Sequence, residues 1–240
     1  MGLRRPGRLR GRFRSAAAAA PAREALVLTT QVARALGLQE RYDDAHELLD
    51  TLPTDDPEVA TRVLLERGRL HRSGGAPDEA RPLFGAAAES ARTAGLDVLH
   101  VDALHMTALV APVEQQLGLH HHALAVATVS ADPAARDWDA SLLNNIGMTH
   151  ADAGDWGAAL AAFEDAVLAR ERIGDAGRLR IARWMVGWSL RHLGHADGAL
   201  EVQRGLRAEL DAAGEDDPYV DEEIALLLAD VADTDRDVIG

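Results

Sequence analysis

The chain has 240 residues and a net charge of -14, with 47% hydrophobic but only 4% aromatic residues and no cysteine. That length holds one or two ordinary domains or a single repeat array. The missing thiols exclude disulfides, cysteine nucleophiles and Cys-based zinc sites and are compatible with a reducing compartment, and no apolar run reaches the roughly 18 residues that a membrane span requires.

All 25 basic residues are arginine, and six of them (Arg4, Arg5, Arg8, Arg10, Arg12, Arg14) fall in an acid-free segment at the start. Beyond it, 19 arginines face 39 aspartates and glutamates. So acidic a body argues against a nucleic-acid-binding face over most of the surface. Residues 1–22 end in a five-alanine run and are expected to form a disordered tail. A targeting peptide or a phosphate-binding arm remains open for them.

From residue 24 onward the pattern is almost continuously helical. Helices are predicted at 24–37, 41–52, 57–73, 77–94, 97–111, 113–129, 137–153, 156–173, 176–193, 196–214 and 219–233. Breakers fall between them: Pro53, Pro57, Gly74–Gly75, Gly95, Pro133, Gly154, Gly174, Gly194, Gly214 and Pro218. No stretch alternates with period two, so no strand is expected. The whole of 23–240 is read as one domain.

Four stretches repeat one spacing: a small residue, Gly seven positions on, Ala five further, then a large residue and another Ala. The clearest is Gly147, Gly154, Ala159, Phe163, Ala166, and a second is Gly68, Gly75, Ala80, Phe84, Ala87. Gly187, Gly194, Ala199, Gln203, Leu206 departs at its end, and Ala33, Glu40, Ala45, Leu49, Leu52 has lost even the glycine. A glycine inside a helix costs about 1 kcal/mol against alanine, which is tolerable where a neighbouring helix packs on the bare backbone. One such pair cannot bury its apolar face alone, so the pairs must stack.

These residues resemble the tetratricopeptide repeat. The best copy reads Leu143, Ile146, Gly147, His150, Gly154, Asp155, Trp156, Ala159, Phe163, Ala166. It departs at Leu143 for an aromatic, His150 for tyrosine and Glu171 for proline. The resemblance covers about 24–214 as five helix pairs, with 219–233 as a cap. The third pair is degenerate, because Pro112 interrupts it. The implied fold is all-α, a right-handed α-α superhelix.

The resemblance further implies that first helices line a concave groove. Its lining would be Ser141, Asn144, Asn145, Met148 and Asp152 in one repeat, Ile181, Trp184, Met185, Trp188, Arg191 and His192 in the next, and Arg62, Leu65, Glu66, Arg69 and Arg72 in the second. Trp184, Trp188 and Arg191 share one helical stripe and are of the types that anchor interfaces. The competing reading packs the indoles against the last helix at Ile224 and Leu228. Arg62, Arg69 and Arg72 could receive acidic side chains or pair with Glu66 and neighbouring acids. Candidate partner-binding residues are therefore Trp184, Trp188, Arg191, Asn144, Asn145, Met148, Arg62, Arg69 and Arg72.

His120–His121–His122 lacks the i,i+4 spacing of a helical metal site and is read as a turn and helix start with exposed imidazoles. No nucleophile elbow, phosphate loop or dinucleotide motif is present, so no catalytic residue, metal or cofactor is expected. The function expected is a cytoplasmic, non-enzymatic scaffold or adaptor binding a peptide or helix. The alternative is a sensor module for a peptide or small-molecule signal. Nucleic acid and membrane are not expected as partners, and self-association through edge helices stays open.

Overall fold

The computed structural model describes the backbone of residues 6–19 and 22–239, with side chains over 10–18 and 22–229. Every regular element among the described residues is an α-helix: α1 (Pro6–Ala19), α2 (Ala22–Gly37), α3 (Tyr42–Asp50), α4 (Pro57–Ser73), α5 (Pro77–Ala94), α6 (Asp97–Leu109), α7 (Val113–Val129), α8 (Pro133–Arg136), α9 (Asp139–Asp152), α10 (Trp156–Ile173), α11 (Ala176–His192), α12 (Ala196–Ala213) and α13 (Pro218–Ile239).

The helices begin and end on local chemistry. Asp56 accepts from the amides of Glu58 and Val59, with Pro57 in the first turn of α4. Asp155 and Asp175 cap α10 and α11 through the amides of Ala158 and Arg178. An aspartate there satisfies amide donors that the first helical turn leaves open.

The chain divides into two compact units, Met1–Trp138 and Asp139–Gly240. This differs from the single domain expected over 23–240. Within each unit the cores are shared between neighbouring helices rather than gathered at one centre. In the first, Val32, Leu36, Leu49, Val59 and Val63 join α2, α3 and α4, and Leu65, Phe84, Leu99 and Met106 join α4, α5 and α6. In the second, Ala151, Ala159 and Phe163 join α9 and α10, and Leu206, Leu210 and Val220 join α12 and α13.

The repeat spacing has a direct packing cause. Phe84 and Phe163 are fully buried. A Cβ at Gly68 would lie 2.5 Å from the Phe84 ring, and one at Gly147 would lie 2.5 Å from Phe163. The ring sits where a side chain would otherwise be, sixteen positions before it in sequence. In the weakest copy Leu49 takes the ring's place and Ala33 the glycine's, both buried. In the α11–α12 copy Gln203 is the fully buried filler.

Two expectations are corrected. Residues 6–19 of the expected disordered tail form α1, whose Phe13 packs on the α2–α4 core; residues 1–5, 20 and 21 lie outside the described residues. The segment after α7 also holds the short α8. Pro112 is the N-cap of α7, where its missing N–H does no harm.

Glu40 stands where the other repeats turn on glycine, and it adopts φ 60° against 83°, 78° and 78° at Gly75, Gly154 and Gly194. A side chain in this left-handed conformation costs about 1 kcal/mol. Glu40→Gly is expected to stabilise the protein by about that amount, read as a higher urea midpoint; an unchanged or lower midpoint contradicts the strain.

Candidate functional site

The second unit carries the aromatic part of the expected groove. On α11, Trp184, Trp188 and His192 recur at four-residue spacing and so rise along one face. Trp188 meets Trp156 edge-on with centroids 4.7 Å apart, Trp184 stacks beside Trp188 at 6.0 Å, and His192 lies flat on Trp156 at 3.8 Å. Met148 from α9 and Met185 pack on the same cluster, and all three indoles are half-buried. Asn144 and Asn145 are half-buried on the adjoining α9.

Two members of the stripe are tied to α13. The Trp184 indole N–H donates to the Tyr219 carbonyl at 3.2 Å, and its ring packs beside Leu206, Leu210 and Val220, with Ile224 in the same cluster. Arg191 donates twice to Glu223, at 2.8 and 3.0 Å, and Glu223 is only 4% exposed. A buried carboxylate of this kind needs its cation, so Arg191 holds the last helix. This is the competing reading for Trp184, with Ile224 as expected; Leu228 stays largely exposed. Trp188 is left as the central half-exposed indole.

The arginine stripe of α4 belongs to the first unit and is mostly engaged internally. Arg62 pairs with Glu58 one turn back. Arg69 bonds Glu66 at 2.7 Å and both carboxylate oxygens of Asp102 on α6 at 2.6 Å. Glu66 and Asp102 are buried, and Leu65 is core rather than groove lining. Burial opposes the charge on Arg69, but the two carboxylates outweigh it and raise its pKa. Arg72 is exposed.

Beside Arg69, His105 contacts the rings of His120 and Trp138. His120 is fully buried inside α7, so the histidine tract is not a helix start with three exposed rings; only His121 and His122 are exposed. Among the described residues no three metal-ligating side chains cluster. Among the described residues no helix is long and apolar enough to cross a membrane.

Several contacts escape a sequence reading. Trp156 was visible only as part of the Gly154–Asp155–Trp156 turn, and its stacking partner is 36 positions away. Arg170, buried on α10, donates to Ser141 of the expected lining at 2.9 Å.

Residues 140–173 match the model of the tetratricopeptide repeat. No curated protein matches the chain by sequence. Among solved structures, the chain is similar to BtubC from P. vanneervenii, with 17% identity, a TM-score of 0.60 and coverage of 86% of this chain and 89% of that one. It is similar to a signal transduction ATPase with a tetratricopeptide repeat sensor from Pyrococcus horikoshii, at 12% identity and a TM-score of 0.70 over 90% of this chain but 35% of that one. It is also similar to the apo quorum sensor NprR from B. thuringiensis, at 15% identity and a TM-score of 0.65, covering 91% of this chain and 62% of that one. NprR has also been solved with its cognate peptide NprX. At these identities the likeness shows a shared all-α repeat fold.

Burial lowers the His105 pKa from 6.5 to about 4, against the opposing pull of Asp102. The unfolded chain therefore takes up this proton first. The stability that neutral His105 contributes is complete above pH 6.5 and is lost as pH falls towards 4. Relative to His105→Gln, the wild type is expected to lose up to about 1.4 kcal/mol per pH unit across that window. Parallel curves for the two proteins in urea melts contradict it.

Proposed function

We propose that this chain, a tetratricopeptide-repeat protein, is a non-enzymatic adaptor that holds a peptide or helix of a partner protein on the α9–α11 face. The observation that carries the reading is Trp188: a half-exposed indole braced by Trp156 and Trp184, with Met148 beside it. A large ring already fixed by its neighbours loses little freedom on binding, which makes it an effective anchor. Asn144, half-buried on α9, supplies an amide to pair with a peptide backbone. In this reading Trp184 and Arg191 position α13 rather than touch the partner. The α4 arginines belong to the first unit, where Arg62 and Arg69 are neutralised, and form no part of this face.

A second reading, a sensor module, is supported by the ties between the stripe and α13. Trp184 and Arg191 flank Trp188 on the same helix and hold α13 through Tyr219 and Glu223. An occupant that shifted them would be felt at the last helix. The likeness to NprR, solved with a peptide, and to an ATPase's repeat sensor adds to this reading through the fold.

The test is selection of peptides from a random display library on the full chain, followed by fluorescence polarisation of the selected sequences. Trp188→Ala is expected to weaken binding by about 30-fold, equivalent to roughly 2 kcal/mol at an anchor residue. Arg191→Ala is expected instead to lower thermal stability. Selected peptides that bind Trp188→Ala as tightly as wild type overturn the site.

A further inference from the structure

A pocket of about 570 Å³ opens on the other side of α11. Its apolar lining is Val167 and Leu168 of α10, Val186 of α11, and Val202, Gly205 and Leu206 of α12. The two lining residues of α11, Arg183 and Val186, lie about 140–160° round the helix from Trp188 at the normal 100° per residue. The pocket thus opens on the side of α11 away from Trp188, although its Val202 and Leu206 share a core cluster with Trp184. Gly205 adds open space to the lining, since a Cβ there would meet nothing within 4 Å. Leu168 is 63% exposed at its edge, an unusual place for an aliphatic side chain beside other apolar surface.

The rim is acidic. Glu164, Glu201 and Glu209 stand around the apolar floor. Arg183, the basic residue in the lining, is taken by Glu209 at 2.7 Å and Glu171 at 3.5 Å. Glu164 and Glu201 form no ion pair among the described residues, and both are exposed. An aliphatic trough between two helices, edged by unneutralised carboxylates, is complementary to an apolar ridge flanked by cations.

We propose that this α10–α12 groove is a second docking surface, and that its occupant is a cationic amphipathic helix of a partner protein. Leu or Ile side chains at i, i+3, i+4 and i+7 enter between α10 and α12, as helices dock in grooves elsewhere. Flanking Arg or Lys side chains meet Glu164 and Glu201. The chain's own basic helix is the poorer fit. In α1 the large apolar side chain Phe13 is already packed on the first unit's core, which leaves arginines but no described apolar ridge to fill the floor.

The probe is an acetylated, amidated 18-residue peptide with leucines at that spacing and arginines on both flanks, labelled with fluorescein. A matched peptide carries Glu in place of every Arg. Titrated with the full chain, the cationic peptide is expected to bind, and to bind more weakly as salt rises. Leu168→Arg and the double variant Glu164→Lys, Glu201→Lys are each expected to weaken it at least tenfold. Trp188→Ala is expected to leave it unchanged, which separates this groove from the site proposed above. All the altered groove side chains are exposed, and thermal melts check that each variant keeps its fold. Should one variant fail to fold, the other still decides. No binding, equal binding of the acidic peptide, or binding lost in Trp188→Ala but kept in Leu168→Arg overturns the proposal. So does self-association of the chain, without peptide, that Leu168→Arg abolishes, because the groove then belongs to a second copy.

Discussion

The fold rests on an aromatic ring placed against bare helix backbone. At Gly147 and Gly68 the rings of Phe163 and Phe84 occupy the volume a β-carbon would need. The two helices of a pair can therefore approach closely and bury the ring completely. Alanines on the second helix, Ala159 and Ala166 in one pair and Ala80 and Ala87 in the other, keep the flanking turns equally close. Each pair still leaves an apolar side to be covered by the next helix, so the cores pass from neighbour to neighbour rather than gathering in one place.

Much of this was legible in the sequence because it is local and periodic. The glycine, the ring sixteen positions later and the turn glycine between them lie within one helix pair, and their spacing repeats. Where a copy departs, the structure shows the physical consequence. Glu40 takes up the left-handed turn without being glycine. Gln203 fills the ring's place with an amide whose nitrogen donates to the Trp184 carbonyl at 3.4 Å while its oxygen is buried without a donor. The helix α1 was not legible, since its arginines and alanines give little apolar periodicity, and the anchor among its described side chains is Phe13.

The candidate site was legible as residue types on helix faces, not as partnerships. Trp184 and Arg191 share one stripe in sequence, and packing against the last helix is foreseen there for the indoles but not for Arg191. Their partners, Tyr219 and Glu223, sit 35 and 32 positions away on a helix whose register no local pattern sets. The same holds for Arg69, whose second carboxylate, Asp102, is one repeat further on. Distant pairing ties Trp184, Arg191 and Arg69 to partners within the protein, while Trp188 stays half-buried among the rings of Trp156, Trp184 and His192. It also gives the second unit two unlike faces, an aromatic one on α9–α11 and an aliphatic, acid-rimmed one between α10 and α12.

The seat of Phe163 on Gly147 is tested most directly by a double-mutant cycle in urea. Gly147→Ala is expected to destabilise the wild type by about 1–3 kcal/mol through overpacking, despite alanine's better helix propensity. In a Phe163→Leu background the same change should cost at least about 1 kcal/mol less, the coupling expected of residues in contact. Additive effects of the two substitutions would contradict the account, because the glycine would then be tolerated for some reason other than the ring.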